Sequence, residues 1–562
     1  MPDASSSPDH ALRARRAKDD RHADTAAPVS APSGPARKKL TRSQIAARIA
    51  QGETLVLHGT RIYKLDSWLA KHPGGPLAIL HFVGRDASDE VEAYHCDETL
   101  QRMKSFIIAE LDLESQELYK PLTPPIQLGY RKGVGLENPH AHLSTWQHYL
   151  TTTSAADSRP TDFPLPTGLL EPPPDPPQID PRNEANISRA YKKLHQEIKD
   201  AGLYQLRPAG YLRECTRYVL LGIAAYVCFY NAQWSPDAST ALYLLSSVFL
   251  GLLWHQATFT AHDAGHTGIT HNHAADRLIG TLIANFLGGL SIGWWCDNHD
   301  VHHLVTNHPE HDPDIQHMPF FAISPKFLIW QKDPDNEGTL TPGLWSSYYR
   351  RVLAFDAPSR FFLRFQHQLY YIVMSLGRFN LYANSYSFLA LKAKRNKWFY
   401  LEVTGLAWFA YWFCYRTIAS LPSWRLRIAY VLISHILTSP LHVQIVLSHF
   451  AQSTEDLGLS ESFASRQIRT TMDVQCPPYL DFLHGGLHMQ VSHHLFPRVP
   501  RHNLREARDR FVKPFAEKWG LQYEEYRFAA GNRKVLKVLQ SVASQVDLLA
   551  KVAKAQARGE LH

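Results

Sequence analysis

Three short histidine clusters carry the densest chemistry in the sequence: His262-Asp-Ala-Gly-His266, His299-Asp-Val-His302-His303 and Gln490-Val-Ser-His493-His494. On a helix the first puts two imidazoles at i and i+4 on one face, and the second puts three at i, i+3 and i+4. The third repeats the spacing of the second with glutamine in the leading place. One HxxxH pair is a common surface coincidence, but three clusters at ligand spacing, each beside an apolar run, point to metal. Neutral imidazole is the commonest protein metal ligand. No cysteine accompanies the clusters, and the Glu-x-x-His pattern of soluble di-iron bundles is absent. Nearly all-nitrogen ligation suits iron, copper or zinc, so ligand type leaves the metal open. Eight or nine donors are too many for one ion and fit two.

The elements that must position these clusters are apolar. Long runs cover Tyr218 to Tyr230, Thr240 to Thr260, Trp398 to Tyr415 and Ile428 to Phe450, which read as four membrane spans. Leu278 to Trp295 is also apolar, but it is glycine-rich and feeds straight into a histidine cluster, so it reads as interfacial or partly re-entrant. An even number of spans puts both termini on one side. The Lys/Arg-free loop NAQWSPDAS agrees with cytosolic termini, while Arg416, Arg425 and Arg427 in the second hairpin disagree. His435, His442 and His449 recur every seven residues on the fourth span. Polar groups there are costly and tend to be functional.

Composition excludes other classes. Apolar residues make up 44% and charged residues 20% of 562, too apolar for a disordered chain. Six cysteines without a C-x-x-C pair exclude a disulfide scaffold and a thiolate zinc site. The net charge of +7 is dispersed, without the basic stripe that nucleic acid requires, so no nucleic-acid partner is expected.

Five segments follow: a disordered tail at 1–40; a small α+β domain at 41–113; a Pro-rich linker at 114–205; an all-α integral membrane domain at 206–530; and a basic amphipathic helix at 531–562. The linker assignment rests on thirteen prolines between Tyr119 and Arg182. The terminal helix reads either as solvated or as lying on anionic lipid. The small α+β domain and the membrane domain are expected to be separate folding units.

In the small domain, His72-Pro-Gly-Gly lies 23 residues before His95, with Gly84-Arg-Asp-Ala between them. This arrangement resembles cytochrome b5 across 41–113. The resemblance implies His72 and His95 as axial ligands of haem b, a six-coordinate iron that moves single electrons. A fused electron carrier makes sense only if the metals at the histidine clusters change oxidation state. Zinc cannot, so two iron ions in an oxygen-activating centre become the reading.

Residues 210–510 are similar to the membrane fatty-acyl desaturases, and within them to the front-end members, which carry a fused cytochrome b5 and glutamine at the head of the third box, as Gln490 does here. The resemblance implies His262, His266, His299, His302, His303, His493 and His494 as iron ligands. It adds His449 in VLSHF at the end of the last span, and Gln490 as a ligand or hydrogen-bonding partner. Metal-bound imidazoles need a partner on the second ring nitrogen, and Asp263, Asn298, Asp300 and Asp314 are near enough in sequence to provide one. His442 is expected beside the metal or substrate, and His435 in helix packing.

The wording around the second and third boxes, with Val491-Ser492 where acyl desaturases more often have Ile-Glu, resembles the fungal Δ8 sphingolipid desaturases. The resemblance implies a trans double bond at C8–C9 of the long-chain base of ceramide. It also implies O2, an NADH-cytochrome b5 reductase as donor, and a multi-pass endoplasmic reticulum membrane location with a cytosolic active site. Three alternatives stay open: a Δ5/Δ6-type front-end acyl desaturase, a lipid hydroxylase of the same superfamily, and a non-enzymatic membrane-anchored haem protein. The expected fold class is therefore a cytochrome b5-like α+β haem domain, then an all-α membrane domain of about four transmembrane helices with a cytosolic helical cap.

Overall fold

The structure, a computed structural model, describes residues 38–113, 118–123, 172, 174–235, 237–328, 330–332 and 340–558. Residues 1–37 of the expected tail and 124–171 of the expected linker lie outside the described residues. The first domain holds a four-stranded sheet in the order Lys39–Leu40, Ile107–Leu111, Arg61–Lys64, Leu55–His58, with the first pair parallel and the others antiparallel. Lys39–Leu40, expected in the tail, is thus an edge strand. Gly59, at φ +61°, turns the hairpin between Leu55–His58 and Arg61–Lys64. The helix Arg42–Ala50 starts on a reciprocal cap between Thr41 and Gln44 and buries Ile45 and Ile49 on the sheet.

The linker expectation needs correction. Its last proline, Pro181, opens the 20-residue helix Pro181–Asp200, with Asp180 capping the Arg182 N–H. Proline is favoured at the first helical position, where its missing N–H would be unpaired anyway. Ile187, Tyr191, Leu194 and Ile198 form one buried stripe against Phe463, Ile468, Leu495 and Phe496. Burying each contributes roughly 1.5–3 kcal/mol toward holding the helix in place. Tyr191 donates to the Leu495 carbonyl at 2.6 Å, so this helix backs the third histidine cluster.

Among the described residues two helices are long and apolar enough to cross a membrane, Ser239–Gly265 and Trp424–Phe450. A third span results if His273–Leu287 and Ile292–Leu304, bent by 118° at their junction, count as one. Of the four expected spans, the second and fourth coincide with the two long helices. The first lies in Pro208–Ala232, where Arg213, Glu214 and Arg217 shorten the apolar run. The third lies in Lys397–Phe409 and its π-helical continuation Ala410–Ile418, which carries the buried Glu402.

Glu402 organises the bend. Its carboxylate accepts from Arg277, the Ser291 hydroxyl at 2.5 Å, the Gly293 N–H at 3.2 Å and the Asn285 amide at 3.3 Å. Carbonyls freed at the break are also met by side chains: Trp412 donates to Phe286 and Trp254 to Leu287, each at 2.9 Å, and Arg378 donates to Gly288 at 2.7 Å. Non-helical backbone at membrane depth requires such internal partners.

The C-terminal helix also departs from expectation. It begins at Phe528 rather than 531 and runs to Ala557. Val535, Leu539, Val542 and Val546 are buried against Phe321, Tyr370, Phe450 and Leu344. Protein, not lipid or water, therefore covers its apolar stripe; Leu548, Leu549 and Val552 beyond it are exposed.

The haem and membrane domains share one packed seam rather than standing as separate units. Val301, Leu304, Val305 and Tyr348 of the membrane domain belong to the same buried cluster as Leu77, Leu80 and Phe82. At the His72-Pro-Gly-Gly turn, a side chain at Gly74 would meet Asp300 at 2.8 Å and one at Gly75 would meet Asp297 at 2.8 Å. Gly75, at φ +79°, adopts a backbone conformation that favours glycine, and the turn lies close to the helix that carries the second histidine cluster.

Candidate metal and haem sites

The histidine clusters converge from four places. His262 and His266 end the Ser239–Gly265 helix; His299, His302 and His303 lie on Ile292–Leu304; His449 ends Ser439–Phe450; His493 and His494 lie on the short helix Gln490–Leu495. All eight are buried. Two groups form, each with ligand atoms within 4.8 Å of one another: His262, His266, His299 and His493 in one, His302, His449 and His494 in the other. His303 lies between them, stacked on His494 at 4.0 Å, with its Nε2 3.1 Å from the Nε2 of His299. Trp295 walls the first group, 4.4 Å from the His299 ring. It can approach because residue 265 is glycine, where a Cβ would sit 2.0 Å from the indole.

Backbone and acidic partners orient the rings. His299 Nδ1 donates to Asp314 at 2.9 Å, and His302 Nδ1 donates to Asp312 at 2.8 Å. His494 Nδ1 donates to the Gln467 carbonyl oxygen at 2.9 Å, while the amide of Gln467 donates to the His303 carbonyl at 2.8 Å. Asp312 also accepts the Asn307 N–H at 2.7 Å, and Asn307 donates to the His449 carbonyl at 2.9 Å. Such contacts leave Nε2 as the lone-pair nitrogen. Nε2 of His302, His493 and His494 and both nitrogens of His266 are buried with no hydrogen-bond partner among the described residues. Burial, then the neighbouring imidazoles, hold His493 and His494 well below the usual histidine range. A set of buried imidazoles in two groups, with inward ring nitrogens left without a protein partner, fits the ligation of two metal ions.

Gln490 is buried one turn before His493, with its Oε1 unpartnered. Of the four residues expected to support ligands, only Asp314 bonds a clustered histidine. Asn298 bonds Asp314 instead, and Asp300 faces the haem domain at Gly74. Asp263 accepts from Tyr211 at 2.6 Å and from Arg501 at 2.5 Å, leaving 3.6 Å to His262. Sequence reasoning missed Asp312 and Gln467. Asp312 had a signal, lying two residues before Asp314 in the loop after the second cluster; Gln467 had none. Along the seven-residue stripe only His449 joins a group. His442 faces the Met374 carbonyl at 3.2 Å, and His435 stacks on Phe379 at 4.9 Å.

In the first domain, His72 and His95 face each other with ring centroids 6.1 Å apart, spacing for one metal atom between two nitrogens. His72 Nδ1 donates to the Gly75 carbonyl at 3.0 Å and His95 Nδ1 to the Val91 carbonyl at 2.9 Å, which leaves each Nε2 as the lone-pair nitrogen. Burial, with His95 opposite, pushes His72 down to about 4. The pair therefore fits bis-imidazole haem ligation. Tyr94, next to His95, presents its ring edge to His303 at 6.2 Å. Tyr94 thus places the chain neighbour of His95 beside the histidine groups.

Comparison with known proteins finds a family match in each part of the chain. The fatty acid desaturase family matches residues 238–527, and the cytochrome b5-like haem/steroid binding domain matches residues 41–112. A Delta 8-(E)-sphingolipid desaturase of Komagataella phaffii is 42% identical over 91% of this chain and 94% of that protein. One of Emericella nidulans is 40% identical over 92% and 97%. An acyl-lipid (9-3)-desaturase of Borago officinalis is 28% identical over 91% and 94%.

Proposed function

The chain belongs to the fatty acid desaturase family, and from that premise we propose that it is a membrane di-iron Δ8 sphingolipid desaturase that introduces a trans double bond at C8–C9 of the long-chain base of ceramide. The observation that carries the reading is the pair of buried imidazole groups lying against a bis-histidine haem crevice. His262, His266, His299, His302, His303, His449, His493 and His494 hold the two irons, and His72 and His95 hold haem b. Gln490 tunes the site through its unpartnered amide oxygen. Bound iron supplies oxygen activation.

The chain's own groups do the rest. Asp312, Asp314 and Gln467 fix the ring tautomers so that lone pairs point inward. Trp295 and the seam with the haem domain exclude water. With iron and haem bound, the lipid carbon pair would lose two hydrogens as O2, with two protons from water and two further electrons, becomes two waters; an NADH-dependent cytochrome b5 reductase would supply those electrons by way of the domain that holds His72 and His95.

The trans-C8 sphingoid assignment draws on the names of relatives near 40% identity, against 28% for the acyl-lipid enzyme. Four spans, cytosolic termini and a cytosolic helical cap in the endoplasmic reticulum membrane complete the reading. The outward faces of the other two long helices support it, with Leu220, Ile223 and Tyr226 exposed on one and Val403, Trp408 and Tyr411 on the other. Arg427, discordant by charge, donates to the carbonyls of Ala419 and Leu421 and so belongs to the hairpin turn. Expression in a host lacking sphingolipid desaturation, with mass spectrometry of long-chain bases and fatty acids, tests the assignment. Unsaturation in the fatty acids alone points to the acyl enzyme, and a new hydroxyl points to a hydroxylase.

A further inference from the structure

A second histidine group lies in the seam between the domains, outside the boxes. His308, Glu310 and His311 follow the second box in the loop Asn-His-Pro-Glu-His, and their ligand atoms all lie within 4.8 Å of one another. The haem domain adds His81, which ends the short helix Leu77–Leu80. Its ring meets His311 edge-on at 5.0 Å, and His311 stacks on His308 at 4.2 Å. His81 is 1% exposed, yet neither of its ring nitrogens has a hydrogen-bond partner among the described residues. A buried polar atom left unpaired costs about 1–3 kcal/mol, and here one ring carries two.

We propose that His81, His308, Glu310 and His311 form a third metal site, for a divalent ion of the zinc class, that clasps the haem domain to the membrane domain. The donor set is imidazole with carboxylate and no thiolate, which suits four-coordinate zinc. Burial pushes His81 down to about 3 and holds His311 well below the usual range, so both rings are in the neutral form that ligates. Glu310, and Asp456 at 3.5 Å from His308, bring two negative charges to offset a divalent cation. The nearby cations have other partners: Arg85 donates to the His81 carbonyl at 3.3 Å, and Arg466 faces Glu90 at 3.8 Å. The next residue, Asp312, turns to His302 instead, so one loop serves two sites. With one donor from the haem domain and three from the membrane domain, the ion holds the His72-Pro-Gly-Gly turn against the second-box helix.

The test counts metal in the full-length protein, purified in detergent from zinc-supplemented cells, with haem measured by absorbance and zinc and iron by elemental mass spectrometry. Zinc can also enter the histidine boxes, so the deciding quantity is a difference between proteins. His81→Ala and His308→Gln are expected to lower total non-haem metal by one ion per chain, with haem content unchanged. Equal non-haem metal in wild type and His308→Gln overturns the proposal. His308→Gln, at the edge of the seam, decides the matter if His81→Ala disturbs the packed haem domain.

Discussion

The haem crevice and the imidazole groups use the same ligand in opposite ways. In the crevice, two histidines 23 residues apart lie on one small sheet-and-helix unit, and backbone carbonyls three and four residues away hold their rings. In the membrane domain, eight histidines from four elements meet, and the partners that orient them come from Asp312, Asp314 and Gln467, the last far off in sequence. Locally supported ligands tolerate damage elsewhere in the chain. Ligands supported at long range depend on the whole bundle.

The largest effect tests that contrast directly. His303→Ala or His494→Ala is expected to abolish desaturation and remove non-haem iron while the haem spectrum persists. A variant keeping near-normal product at equal protein level shows that its histidine is dispensable. The converse change, His72→Ala, should abolish the low-spin haem spectrum and turnover yet leave non-haem iron in place. Loss of both metals together would mean that the packed seam makes the two sites one folding unit.

Smaller changes sharpen the comparison. Asp312→Asn removes the carboxylate behind His302 and should weaken iron binding about 10–100-fold, the usual effect of losing such a partner. Iron retention during titration with a chelator measures it, and no change would show that His302 is oriented by packing alone. Gln490→Ala removes the buried amide whose Oε1 is unpartnered and should slow turnover more than it lowers iron content. Iron loss equal to that in His494→Ala would make Gln490 a ligand. The smallest effect is expected at Tyr94. Its hydroxyl has no partner among the described residues, so Tyr94→Phe should leave the rate of haem reoxidation under O2 and substrate unchanged, whereas Tyr94→Ala opens the contact with His303 and slows it. Equal rates in all three proteins would remove Tyr94 from the path between the domains.

The histidines that the structure brings together at both proposed sites were legible because their signals are local: a glycine-bearing turn at a set distance from a histidine, and imidazoles at helical spacing beside apolar runs. The proline-rich segment misled at its end, because Pro181 opens a helix rather than prolonging an extended chain, and the terminal helix misled because amphipathic spacing does not say what covers the apolar face. Asp263 and Asp300 were near the right histidines in sequence and face other partners in space.

Residue spacing alone determined the haem pair, the three boxes and the apolar runs, since each rests on the period of a helix or turn a few residues long. Only the tertiary structure decided that Asp312 and Gln467 hold the rings, that Glu402 pins the bent helix pair, and that the haem domain lies against the second box. Those contacts join residues up to a few hundred positions apart. Their partners are selected by burial, because a charge or amide shut away from water must find a counterpart wherever the fold brings one.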